Sequence, residues 1–129
     1  MKPSYKILVV DDEVDLCKAI AQAFKIKGHS TQTAFNGQTA FETIRSQPLD
    51  VIISDIRMPG WSGVDLLKAI KTLPAPTPLV AMMSGFSDVS EKELYELGAD
   101  LFINKPFSVL EFIKAVELKI SERTSAPKS

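Results

Sequence analysis

Five short apolar runs, separated by turn-forming residues, divide the chain into segments of strand length. They cover residues 5–10, 29–34, 51–54, 79–84 and 101–104. Runs this short, bounded by turn signals, are typical of strands rather than helices. Three of them, ILVV, VIIS and LVAMM, are apolar without alternation. Strands covered on both faces of a parallel sheet require that pattern, so the sequence predicts a buried parallel sheet.

Between these runs the apolar positions recur at helical spacing. Three clear helices are predicted, with apolar positions at Leu16, Ile20, Ala23 and Phe24, at Val64, Leu67 and Ile70, and at Val109, Phe112, Ile113, Val116 and Ile120. Two weaker helices are predicted, one from residue 36 or 37 to 45 and one from 89 to 97, which Gly98 ends. Strand and helix thus alternate five times. This alternation favours a doubly wound α/β fold with five parallel strands and five helices.

Composition adds constraints on the class of protein. The 129 residues are 45% hydrophobic and 24% charged, which is typical of one ordinary globular domain. The formal net charge of −1 creates no global field that would recruit nucleic acid or an anionic membrane. We therefore predict that this chain binds neither, and that partners recognise a local surface.

Cysteine content and the first residues indicate the compartment. Cys17 is the only cysteine, so an internal disulfide and a site built from several thiolates are excluded, and a reducing environment fits. The apolar run at residues 7–10 is too short for a signal peptide or a membrane span. We predict a cytoplasmic protein with a domain at 1–122 and a flexible tail at 123–129, where helical periodicity is lost.

Polar residues follow the predicted strands at the edge where doubly wound sheets bind ligands. In chain order they are Asp11, Asp12 and Glu13, then Asp55, Ser84 and Lys105. Two carboxylates 4 Å apart repel by roughly 4 kcal/mol at an effective dielectric near 20, so such a cluster needs a cation. Because only oxygen ligands are available, Mg²⁺ suits the site best. Alternatively, one or two of the acids merely cap the helix that follows.

Asp55 is not explained by capping, because it ends a buried strand and is followed by the chain-breaking Pro59 and Gly60. We expect its carboxylate to be held at the strand end and partly exposed. With Lys105 and the Ser84 hydroxyl to neutralise phosphoryl oxygens, Asp55 could act as a nucleophile that forms an acyl phosphate.

The motifs VVDDE, SDIRMPGWSG, MSG and NKPF, in this order, resemble those of the response-regulator receiver domain of two-component phosphorelay systems. The resemblance extends from Tyr5 to about Ile120. It implies a CheY-like, flavodoxin-like (βα)5 fold with strand order 2-1-3-4-5. It also implies that Asp55 accepts a phosphoryl group from a histidine kinase or a phosphotransfer protein. Such a domain catalyses its own phosphorylation and dephosphorylation without being a conventional enzyme.

The resemblance also implies a role for each site residue. Asp12, Asp55 and the backbone carbonyl of Arg57 would bind Mg²⁺, and Asp11 would support the cation through water. Ser84 and Lys105 would each bind a phosphoryl oxygen.

Signal transmission is implied in the same way. Phe102 would be the switch aromatic, and the Lys105–Pro106 peptide bond would be cis. The surface of the fourth helix, fifth strand and fifth helix would change its preference for a downstream protein target or a fused output domain. A phosphorylation-dependent homodimer fits the family as well.

Seven further residues have their own expectations. Arg57 and Phe86 flank the route of the attacking water, and a bulky Phe86 could prolong the phosphoryl lifetime. Trp61 is expected to anchor its loop, by packing over Met58, or to contact a partner. His29, the only histidine, is expected at the surface or in a cap. Cys17 and the methionines of the fourth strand are expected in the core.

Two other classes of protein with aspartate or phosphate chemistry fit this sequence less well. A flavodoxin-like FMN carrier shares the strand order but needs a Ser-, Thr- or Gly-rich loop after the first strand, where this chain has three acids. A phosphatase of the haloacid-dehalogenase type needs a second Asp two residues after the nucleophile, where this chain has Arg57.

A third alternative is a receiver-shaped interaction module that is never phosphorylated. Such a module would lack one of Asp12, Asp55, Ser84 and Lys105, and all four are present. The sequence therefore favours a phosphorylation-competent receiver.

Overall fold

Strand and helix alternate five times in the computed structural model, which describes residues 3–85 and 89–125. In chain order the elements are β1 Lys6–Val10, α1 Val14–Ile26, β2 Ser30–Ala34, α2 Gly37–Ser46, β3 Val51–Asp55, α3 Gly63–Ile70, β4 Leu79–Ser84, α4 Glu91–Glu96, β5 Leu101–Asn104 and α5 Val109–Ser125. The predicted fold class is confirmed.

The five strands form one parallel sheet in the order β2-β1-β3-β4-β5. The three central strands β1, β3 and β4 are buried along their length except at Lys6, as their unbroken apolar sequences predict. The outer strand β2, by contrast, alternates between exposed and partly buried positions. The order places the ends of β1 and β3 side by side at the centre of the sheet.

Successive side chains of each strand enter two different cores, one on each face of the sheet. Ile7 and Val9 pack with α1 and α5, whereas Leu8 and Val10 pack with α2, α3 and α4. Cys17 belongs to the first core and is fully buried, as predicted. The two methionines of β4 are also fully buried, one in each core.

Two element boundaries differ from the sequence predictions. Helix α5 continues to Ser125, past the predicted end of the domain at residue 122, and residues 126–129 of the predicted tail lie outside the described residues. Helix α4 is shorter than predicted, because the Ser90 hydroxyl accepts the Glu93 N–H at 3.1 Å and so fixes the helix start. None of the helices in the described ranges has the length and apolar character that crossing a membrane requires.

At the amino-terminal edge of the sheet, polar residues that precede one strand bond the backbone of its neighbour. An Asp50 oxygen accepts the Lys6 N–H at 2.8 Å, and an Asp100 oxygen accepts the Val80 N–H at 2.8 Å. These carboxylates satisfy amides at the starts of β1 and β4, where the ladder of strand hydrogen bonds begins.

The expectation that His29 lies at the surface was wrong, since the residue is only 4% exposed. Its Nδ1 accepts the Tyr5 N–H at 3.1 Å, and its Nε2 lies 2.7 Å from a Glu117 oxygen. Because Nδ1 is an acceptor, the proton of the neutral ring resides on Nε2 and is donated to Glu117. The ring also stacks on Tyr5, with centroids 5.5 Å apart. The sequence did not show that α5 covers this end of β1.

Candidate functional site

Three carboxylates from the ends of β1 and β3 meet at the carboxyl-terminal edge of the sheet. One oxygen from each of Asp11, Asp12 and Asp55 lies within 4.8 Å of the others, close enough to hold a metal ion together. The register pairs Val10 with Ser54, so the residues that follow are neighbours across the two strands. Asp11 is fully buried and Asp12 is exposed, so the cluster faces solvent on one side.

Asp11 uses its two oxygens differently. Its Oδ1 accepts the backbone N–H of Glu13, the residue before α1, at 2.9 Å. Its Oδ2 accepts a hydrogen bond from the Lys105 ammonium at 3.2 Å. The first oxygen therefore orders the turn before α1 without bonding an amide of the first helical turn, and the N-cap residue Glu13 makes no side-chain capping hydrogen bond. The second oxygen belongs to the charged cluster.

Lys105 is the cation that the carboxylates share. Its Nζ lies 3.2 Å from Asp11, 3.4 Å from Asp55 and 3.9 Å from Glu13. The Lys105 backbone N–H donates to the Ser84 carbonyl at 2.9 Å, which ties the residue to the end of β4. The Lys105–Pro106 peptide bond is cis. Three carboxylates against one ammonium leave the cluster with excess negative charge.

Asp55 is more buried than the sequence indicated. Only 7% of the residue is exposed, although we expected a partly exposed carboxylate. Burial and the negative charge of Asp11 raise its pKa above the ordinary value of 3.8, and the nearby Lys105 offsets part of that rise. For Lys105 burial acts to lower the pKa, but the charges of Asp55 and Asp11 outweigh it and the net shift is upward.

The hydroxyl of Ser84 is buried beside this cluster without a hydrogen-bond partner among the described residues. The register of β3 and β4 pairs Asp55 with Met83, which places Ser84 one residue further along the neighbouring strand. Buried polar groups without a partner are rare, and each calls for an explanation. A ligand oxygen bound at Asp55 would give this hydroxyl an acceptor.

The remaining predicted site residues lie around this centre. Arg57 is two residues past Asp55 and has an exposed side chain. Phe102 lies within β5, opposite Met82, and is half-buried against the core formed with α2, α3 and α4. Phe86, which was expected to shield the site, falls outside the described residues.

Gly63, the first residue of α3, is a site residue that the sequence analysis missed. A Cβ at this position would lie 2.2 Å from the Asp55 carbonyl oxygen, so only glycine allows α3 to begin against the end of β3. Ser62 and Asp65 form a capping box around it, with side-chain to backbone distances of 3.1 and 2.9 Å. A glycine between the two polar capping residues was the available sequence signal.

A parallel sheet in this order, with a carboxylate trio, a lysine and a buried hydroxyl at the carboxyl ends of its central and edge strands, defines the receiver class of signalling domains. The family model for the response regulator receiver domain matches residues 7–117 of the chain. The chain belongs to this family, which confirms the resemblance seen in its motifs.

Comparisons with individual proteins give the same family assignment. The chain is 32% identical over 122 residues to the transcriptional regulatory protein KdpE of Mycobacterium tuberculosis, a match that covers 93% of this chain and 53% of KdpE. The Francisella response regulator 1452 receiver domain superimposes with a TM-score of 0.83 at 32% identity, covering 95% of this chain and 100% of that one. The chemotaxis response regulator CheY4 of Vibrio cholerae gives a TM-score of 0.82 at 26% identity, covering 91% and 99%.

Family membership fixes the broad role. Receiver domains are signalling domains rather than conventional enzymes, and response regulators work with histidine kinases and output domains. The flavodoxin-like carrier and the dehalogenase-type phosphatase are therefore set aside. The chain spans about half the length of the curated relatives it matches, 53% of KdpE and 51% of the Streptococcus agalactiae protein DltR.

Proposed function

We propose that this domain accepts a phosphoryl group on Asp55 from a histidine kinase or a phosphotransfer protein, in a reaction that depends on Mg²⁺. The observation that supports this most strongly is the buried, unpartnered Ser84 hydroxyl next to the Asp55–Lys105 pair within the described residues. A site built only for structural stability would satisfy that hydroxyl internally.

In the proposed transfer the chain supplies the nucleophile and two groups that bind phosphoryl oxygens, and the partner supplies the phosphoryl group. An oxygen of the Asp55 carboxylate attacks phosphorus, the bond from phosphorus to the donor's imidazole nitrogen breaks, and its electron pair leaves with that nitrogen. The Lys105 ammonium and the Ser84 hydroxyl then each bind a phosphoryl oxygen. Burial and the negative charge of Asp11 raise the pKa of Asp55 and so disfavour its ionised form. Added positive charge would therefore favour the ionised nucleophile.

The ligand set fits Mg²⁺. Asp12, Asp55 and the backbone carbonyl of Arg57 would hold the ion, with Asp11 supporting it through water, and all of these donors are oxygens. When bound, Mg²⁺ would neutralise the carboxylates and the incoming phosphoryl oxygens. Lys105, which contacts Asp11 and Asp55 in this structure, would then be able to reach the phosphoryl group instead.

Signal output is proposed to follow from Ser84 and Phe102. Ser84 would move towards the phosphoryl group, and the Phe102 ring would turn inward and alter the surface of α4, β5 and α5. The surface would contact a downstream protein or a fused output domain, or form a phosphorylation-dependent homodimer. We place the domain in the cytoplasm.

The experiment is intact-mass analysis after incubation with a small acyl-phosphate donor, with and without Mg²⁺. Wild type and Asp15→Asn, which changes an exposed aspartate of α1, should each gain one phosphoryl group when Mg²⁺ is present. Asp55→Asn should gain none. This combination would establish both the acceptor residue and the metal requirement.

Two results would overturn the proposal. Phosphorylation of Asp55→Asn to the wild-type extent would place the acceptor elsewhere. A wild-type protein that binds no Mg²⁺ and gains no phosphoryl group would instead be an interaction module of the receiver shape.

A further inference from the structure

The loop that joins β3 to α3 supplies Arg57, and on either side of Arg57 the residues Ile56 and Met58 are buried in the core. Arg57, Pro59 and Gly60 are exposed, and Gly60 has a positive φ of 74°. The Gly63 N–H donates to the Ile56 carbonyl at 2.7 Å and closes the base of the loop. Neither this hydrogen bond nor the burial of Met58 holds the exposed residues Pro59 and Gly60.

Trp61 anchors this part of the loop by packing on α2. A Cβ at Gly37, the first residue of α2, would lie 2.6 Å from the Trp61 Cβ, so the missing side chain makes room for Trp61. The Trp61 ring also lies 5.7 Å from the Phe41 ring, at an interplanar angle of 40°. The guanidinium of Arg45 lies 5.7 Å from the centroid of the same Phe41 ring.

The loop is thus held against two different elements. Gly63 lets its end approach the Asp55 carbonyl, and Gly37 lets Trp61 approach α2. We call the contact of Trp61 with Gly37 and Phe41 the α2 clamp. Along the chain Arg57 lies between Asp55, whose carbonyl Gly63 approaches, and Trp61, so a change in the clamp would act on the segment that carries Arg57.

We propose that Trp61 is a positioning residue for the cation site, acting through the α2 clamp to hold the loop that carries Arg57. This inference rests on the proposed Mg²⁺ site. Loss of the clamp should weaken Mg²⁺ binding without removing any group that contacts the ion. Outer residues that orient metal ligands typically affect metal affinity by about 10- to 100-fold, so the effect should be measurable.

The test compares Mg²⁺ affinity, measured by calorimetry, among four variants. Trp61→Ala should bind Mg²⁺ about tenfold more weakly than wild type, and Trp61→Phe, which keeps a ring against Phe41, should restore most of the loss. Gly37→Ala disturbs the same contact from the α2 side and should also weaken binding. Ile44→Ala is the matched control, because Ile44 is a buried residue of α2 that lines a groove with Leu49 and Leu73, away from the site.

Hydrogen exchange of the metal-free proteins gives a second readout that does not depend on the ion. The Gly63 amide, which closes the loop, should exchange faster in Trp61→Ala than in wild type, relative to amides of β1. In Ile44→Ala any loss of stability should leave that ratio unchanged. A role for Trp61 in stability alone would make the two variants alike in both measurements.

The outcomes separate this inference from the proposed function. Unchanged Mg²⁺ affinity in a folded Trp61→Ala protein would overturn the clamp and leave the proposed function standing. A wild-type protein that binds no Mg²⁺ would overturn the proposed function and the clamp's role in it together. Weaker binding in both Trp61→Ala and Gly37→Ala, with Ile44→Ala unaffected, would support the clamp.

Discussion

Asp50 and Asp100 at the amino-terminal edge of the sheet accept backbone hydrogen bonds, whereas Asp11 and Asp55 at the opposite edge face each other across a shared lysine. All four residues are aspartates, and each lies at the end of a strand or directly next to one. At the first edge each carboxylate satisfies an amide that starts a strand. At the second edge like charges are gathered, and burial raises the pKa of Asp55.

The comparison shows that stabilising carboxylates and the candidate functional site lie at opposite edges of one sheet. Carboxylates paired with backbone amides contribute to folding, since buried backbone donors need acceptors. Carboxylates that crowd one another oppose folding, and a bound cation would relieve that opposition. Substitutions at the two edges should therefore have opposite effects on stability.

The largest effect is expected at the amino-terminal edge from His29→Ala. This change removes a buried ring that stacks on Tyr5 and leaves the Tyr5 N–H without its acceptor. We expect a loss of about 3 kcal/mol in the free energy of unfolding, the low end for deleting a large core side chain. Thermal and urea denaturation would measure it, and phosphorylation of the folded variant by a small donor should be unchanged.

His29→Asn is the matched control, because its side-chain oxygen can replace Nδ1 as the acceptor for Tyr5. It should retain part of the lost stability. Equal losses in the two variants would show that ring packing accounts for the whole effect and that the hydrogen bond contributes nothing.

A smaller loss is expected from Asp100→Ala, which removes the acceptor of the Val80 N–H at the start of β4. A hydrogen bond to a charged group contributes about 1.5–3 kcal/mol, and the partial exposure of Asp100 favours the lower figure. Urea denaturation would test this, with Asp15→Asn as an exposed control. A more stable Asp100→Ala protein would contradict the comparison of the two edges.

The sequence was sufficient to predict the fold and the gathering of polar residues at the carboxyl-terminal edge of the sheet. Unbroken apolar strands and helical spacing require a covered parallel sheet, and polar residues after several such strands must then meet at one edge. Ordered motifs identified the family. None of these arguments needs a contact between distant side chains, which is why they succeeded.

The amino-terminal edge could not be predicted in the same way. His29 is covered in part by α5, which lies far along the chain and brings Glu117 to it. The contact of Trp61 with Gly37 likewise depends on how α2 and α3 pack. Local patterns carry no information on such pairings, so a lone histidine and a loop tryptophan were interpreted from their immediate neighbours alone.

At the carboxyl-terminal edge we expect the opposite sign, with Asp55→Asn more stable than wild type. The change removes one of the crowded carboxylates while keeping the side-chain shape. We expect a gain of about 1 kcal/mol near pH 7, because Lys105 already offsets part of the like-charge repulsion. Urea denaturation without divalent cations would measure the gain, and a loss of stability would mean that the Lys105–Asp55 attraction dominates.

The smallest predicted effect is the pH dependence of the stability that Asp55→Asn gains over wild type. Burial and Asp11 raise the pKa of Asp55 above 3.8, so the folded protein keeps a proton on Asp55 at pH values where the unfolded chain has lost it. Wild type therefore gains stability relative to Asp55→Asn as the pH falls through the raised pKa, and this relative gain ends near 3.8. Urea denaturation of both proteins from neutral pH downward should show the advantage of Asp55→Asn shrinking. An advantage that grows on acidification would mean that the Asp55 pKa is lowered in the folded protein and that Lys105, not the neighbouring acid, controls its charge.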